Sequence, residues 1–93
     1  MTDRPKISGG IGRRLLYKKG ERIFSEGQPG KEMYVVESGR IKIFLTAQDR
    51  ELTLAVLQKG DFFGEMALLE DLPRSASAAA IDTTRLIAIG KGD

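Results

Sequence analysis

From Arg13 onward, short apolar runs alternate with turns at glycines 20, 27, 30, 39 and 60. What such runs can form is a set of short strands. Residues 15–17 and Arg22–Phe24 flank a turn at Lys19-Gly20. Gln28-Pro29-Gly30 has turn chemistry, with proline fixing one backbone angle and glycine freeing the next. Residues 33–37 read as a third strand, and Ser38-Gly39 turns it into 40–46. In that segment Ile41, Ile43 and Leu45 share one face, and Arg40, Lys42 and Thr46 share the other. After a turn at Gln48-Asp49-Arg50, Leu52, Leu54 and Val56 repeat the alternation over 51–58, so the two segments form a half-buried hairpin. Residues 84–89 read as the last strand. This even spacing predicts an all-β sandwich or barrel.

Composition narrows the chemistry. The 93 residues make one domain, near the small end of what buries its own core. There is no cysteine and no histidine. The chain therefore lacks a thiol nucleophile, a disulfide, the commonest general base and the commonest transition-metal ligand. That argues against an enzyme and against a metal site. No apolar run approaches the roughly 20 residues that cross a bilayer, and no secretory signal is present, so the expected location is the cytoplasm. Residues 1–12 are polar, with Pro5 and the cluster Ser8-Gly9-Gly10-Ile11-Gly12, and read as a flexible tail ahead of a domain over 13–93. The first 22 residues hold seven basic side chains against Asp3 and Glu21. That is a soluble terminus, or an arm for nucleic acid or anionic lipid.

One stretch carries a site: Phe62-Phe63-Gly64-Glu65-Met66-Ala67-Leu68-Leu69-Glu70-Asp71-Leu72-Pro73-Arg74-Ser75-Ala76. Gly64 lets a ligand approach the backbone, and residues 65–69 are helix formers stopped by Pro73. The free N-H groups of a short helix held there by Phe62, Phe63, Met66 or Leu69 would face an anion. Arg74 can grip two oxygens of one phosphate. Glu65 would repel a phosphate, yet it can accept a hydrogen bond from a ribose hydroxyl. Together the two describe a nucleotide sugar-phosphate. Alone, either is an ordinary surface residue, or half of an exposed ion pair.

The order of these residue types resembles the phosphate-binding cassette of cyclic nucleotide-binding domains, the family of catabolite activator proteins, kinase regulatory subunits and cyclic-nucleotide-gated channels. The resemblance spans roughly residues 15 to 90. It implies an eight-stranded β-roll of the double-stranded β-helix, jelly-roll type, with one short helix in the cassette. It places a strand over Ala76-Ser77-Ala78-Ala79-Ala80, a run that propensity alone assigns to helix. It makes Ile43 and Leu54 candidates for the apolar wall beside the purine. In the family a helix after the last strand caps the base. No segment here is periodic enough to be that helix, so the sequence looks like a sensor cut before its lid, or a minimal form of one.

The resemblance also implies roles. Arg74 would pair with the cyclic phosphate, Ser75 would add its N-H and hydroxyl, and Glu65 would take the 2'-OH beside the Gly64 N-H. The backbone of Met66 and Ala67 would complete the cradle. The ligand is then cAMP or cGMP, with the purine left open, and no metal is required. The function is a binding and regulatory module signalling to an effector outside this sequence. Its rivals are the sensory domain of a transcription regulator answering another effector, and an interaction module without a ligand. No recognition-helix pattern supports direct sequence-specific DNA reading. Exposed apolar surface on an uncapped roll leaves a homodimer open.

Overall fold

The computed structural model describes residues 12–65 and 72–90. Eight strands run through them: β1 Gly12–Tyr17, β2 Arg22–Phe24, β3 Glu32–Ser38, β4 Arg40–Ala47, β5 Arg50–Gln58, β6 Phe62–Phe63, β7 Ser77–Ala80 and β8 Thr84–Gly90. They form two antiparallel four-stranded sheets, ordered β1-β8-β3-β6 and β2-β7-β4-β5. This is the expected all-β roll. The cassette helix, with Met66 and Ala67, lies outside the described residues, as do the tail over 1–11 and residues 91–93. Gly12, expected to close the tail, opens β1 and pairs with Ile89.

The core forms between the sheets because each contributes one apolar face. Tyr34, Val36, Leu86 and Ala88 come from one sheet with Phe63 of β6, and Ile41, Ala78 and Ala80 come from the other. Phe24, Tyr34 and Phe63 form an aromatic cluster with ring centroids 5.2 to 6.0 Å apart. β7 runs between β2 and β4, and all four of its residues are buried. A strand enclosed on both faces needs small side chains, which explains why the alanine run is a strand against its helix propensity. Its Ser77 hydroxyl accepts from the Glu26 N-H at 2.9 Å, so the buried oxygen is paired.

The hairpin β4–β5 forms as expected, but its burial does not follow simple alternation. Ile43 faces Ala55 while Phe44 faces Thr53, which leaves Leu54 with no residue opposite. This is a β-bulge. Leu52, Leu54 and Val56 are exposed, whereas Ala55 and Leu57 are partly buried. On β4 the fully buried residues are Ile41 and Phe44, the latter lying under Arg22 and Lys42 at 5.1 and 4.8 Å from its ring centre. The hairpin loop is Gln48-Asp49, both with positive φ. The turn expected at Gln28-Pro29-Gly30 sits earlier. The Gln28 N-H donates to the Ser25 carbonyl at 3.1 Å, and Gly27 is the residue with positive φ.

Candidate functional site

Arg74 is the organising residue of the site, and its main chain is fixed first. Its N-H donates to the Gln28 carbonyl, and its carbonyl accepts from the Gly27 N-H, each at 2.8 Å. Pro73, with no N-H of its own, delivers the chain to this double tie. From there the side chain runs inward and is only 8% exposed. Its guanidinium lies over the Phe24 ring at 4.2 Å from the centroid and 5.7 Å from that of Tyr34. Nη2 donates to the Glu32 carbonyl at 2.9 Å, and Nη1 donates to the Gly64 carbonyl at 3.3 Å.

These contacts orient the cation without neutralising it. Nε is buried with no hydrogen-bond partner, and among the described residues no carboxylate forms an ion pair with Arg74. Two backbone carbonyls and an aromatic face are weak compensation for a charge taken out of water. A bound anion would supply the rest. Gly64, at φ +79°, is left-handed, and a Cβ built on it would stand 2.8 Å from Nη1. Its bareness thus makes room for the arginine.

Arg74 forms part of the wall of a cavity of about 380 Å³. That is within the range of small-molecule sites, roughly 300 to 1,000 Å³. Gly64, Glu65 and Ser75 line the same space, with Phe24 and Ile43 contributing apolar wall. Four of the six residues singled out in the sequence are therefore brought together around one cavity, and Met66 and Ala67 lie outside the described residues. Glu65 and Ser75 are exposed, and Glu65 is not salted to Arg74. Ile43 is on the wall as expected. Leu54 is not, because as the bulged residue it is 51% exposed at the sheet edge.

Three residues that support Arg74 were not legible as such. Phe24 reads as one more apolar strand residue and Gly30 as a turn glycine, and Glu32 precedes the strand read over 33–37. The Glu32 side chain is in fact engaged elsewhere, in a forked pair with Arg13 of β1 and beside the Tyr34 hydroxyl. It is the Glu32 main-chain oxygen that meets Arg74.

Comparison with known proteins identifies the family. The family model described as the cyclic nucleotide-binding domain matches residues 14–93. A cyclic AMP receptor protein of Thermus thermophilus is 44% identical over 81 residues, 86% of this chain and 38% of that protein. A cAMP-dependent protein kinase regulatory subunit of Debaryomyces hansenii is 39% identical over 89 residues, 96% of this chain and 19% of that protein. The chain therefore spans less than two fifths of the length of either relative. Among solved structures, the EAL enzyme Bd1971 is similar in its cAMP-bound and cGMP-bound forms, with TM-scores of 0.80 and 0.81. Each is 40% identical, over 84% of this chain and 21% of that one. With the roll, the cavity and the family match in agreement, this chain belongs to the cyclic nucleotide-binding domain family.

Proposed function

We propose that this chain is a cytoplasmic binding and regulatory module, not a catalyst, whose ligand is cAMP or cGMP. The observation that carries the reading is the buried, charge-uncompensated guanidinium of Arg74 on the wall of a cavity it shares with Gly64, Glu65 and Ser75. Arg74 pairs with the charged oxygens of the cyclic phosphate, and Ser75 adds its N-H and hydroxyl. Glu65, exposed on the same cavity, accepts from the ribose 2'-OH beside the Gly64 N-H. Ile43 and Phe24 offer an apolar wall that suits either purine, in keeping with a neighbour solved with each of the two nucleotides. Binding energy then shifts an effector outside this sequence, by no more than the ligand's differential affinity for the effector's two states.

Calorimetry with cAMP and its 2'-deoxy form, on this chain and on Glu65→Ala, tests the assignment. A buried site built for a hydroxyl rejects the analogue lacking it by up to about 10⁴-fold, and an exposed carboxylate achieves less. The expected result is a preference for the ribose form that Glu65→Ala abolishes. Equal affinity in all four combinations removes Glu65 from the ribose, and no binding of either nucleotide overturns the function itself.

A further inference from the structure

Most glycines of this chain that adopt positive φ are explained by their own backbone. Gly20, Gly27 and Gly60 are left-handed, and a Cβ on any of them would meet nothing within 4 Å. Gly30 is different. Its φ lies outside the left-handed range, so φ alone does not call for glycine there. Yet a Cβ there would stand 2.2 Å from Nε of Arg74, 2.3 Å from Cζ and 2.7 Å from Nη2. The three atoms that such a Cβ meets first all belong to one guanidinium.

We infer that Gly30 is a positioning residue for Arg74 and, through it, for the cyclic phosphate. The inference rests on the role given to Arg74 above. Gly30 supplies one side of a slot whose others are the Phe24 ring at 4.2 Å, the Glu32 carbonyl at 2.9 Å and Gly64, where a Cβ would also collide with Nη1. A methyl group at position 30 fills that slot. The guanidinium is the far end of a rotatable side chain, whereas the backbone around it is tied at Gly27, Gln28 and Arg74. The arginine therefore yields and the fold does not. Driven from the slot, it loses the Glu32 carbonyl and the flat contact with Phe24, and its charge no longer sits where the phosphate must arrive.

The test is a double-mutant cycle on the whole chain, reading cAMP affinity by calorimetry and the thermal midpoint for wild type, Gly30→Ala, Arg74→Ala and the double variant. Gly30→Ala is expected to weaken cAMP binding by at least about tenfold, the cost of misplacing one charge-assisted contact. In the Arg74→Ala background the same substitution is expected to change affinity by less than about twofold and to leave the midpoint in place, because the guanidinium that the methyl meets first is gone. Should Gly30→Ala alone fail to fold, a double variant as stable as Arg74→Ala still places the clash on the guanidinium. The inference is overturned if Gly30→Ala binds like wild type while Arg74→Ala does not, or if position 30 lowers the midpoint equally in both backgrounds. Wild-type binding by Arg74→Ala instead overturns the phosphate role of Arg74, a separate outcome.

Discussion

The Thr84 hydroxyl joins two strands that are distant in sequence. It accepts from the Arg40 N-H at 3.1 Å, and its one proton has the Arg40 carbonyl at 3.0 Å and the Asp82 carbonyl at 2.9 Å within reach. Thr84 is fully buried, so no water replaces it. Thr84→Val keeps the shape and removes the hydroxyl, leaving the Arg40 N-H without this partner. The expected cost is about 1 to 3 kcal/mol, read from urea unfolding midpoints. A loss under about 0.5 kcal/mol would place the hydroxyl among ordinary surface groups.

The β4–β5 loop invites a stabilising change. Gln48 and Asp49 both carry positive φ, 54° and 63°, in a two-residue hairpin turn that suits Asn-Gly better. Replacing the pair, Gln48→Asn with Asp49→Gly, is expected to gain about 1 kcal/mol by relieving left-handed strain. In a domain of this size that raises the thermal midpoint by about 4 to 8 °C. An unchanged or lower midpoint would mean that the loop does not hold this conformation.

Arg74→Lys tests the two-pronged grip. A lysine ammonium keeps the charge but cannot reach the Glu32 and Gly64 carbonyls together or lie flat on Phe24. Affinity for cAMP is expected to fall at least about tenfold, the worth of one charge-assisted hydrogen bond. Calorimetry showing no loss would put the phosphate elsewhere.

Alkaline stability should depend on Tyr34. Its hydroxyl is held above the ordinary tyrosine value, first by burial and then by the Glu32 carboxylate. A raised folded-state value means stability that is complete below about pH 10, the unfolded value, and lost as pH climbs through the folded one. Tyr17 is shifted the same way, chiefly by burial, so the comparison of variants is what decides. Between pH 9 and pH 11 the urea midpoint should fall less in Tyr34→Phe than in wild type. An equal fall would detach Tyr34 from the alkaline transition.

The strand plan was legible because glycine and turn residues punctuate the chain at the intervals a small β domain needs. Phe62 and Phe63 were not legible as a strand. Two residues carry no period, and only their pairing with Val35 and Tyr34 makes them one. The alternation over β5 pointed to the wrong face because a period of two gives a strand without saying which side meets the core, and Leu52, Leu54 and Val56 all stand on the exposed one. The alanine run was settled by its resemblance, not its propensity, since burial on both faces of β7 is a tertiary fact. At the site, the chemistry of Gly64, Glu65, Arg74 and Ser75 is written in one short stretch. The slot for Arg74 is assembled from Phe24, Gly30 and Glu32, which neighbour it only after folding.

The skipped residue at Leu54 also affects how copies of the molecule meet. β5 is the outer strand of its sheet, and with Leu52, Leu54 and Val56 uncovered it is a template on which another chain could lay a strand. The bulge interrupts its hydrogen-bonding rhythm between Thr53 and Ala55. A visiting strand would have to break step halfway along, so the bulge works against edge-to-edge polymerisation at a margin where three apolar side chains stand in water.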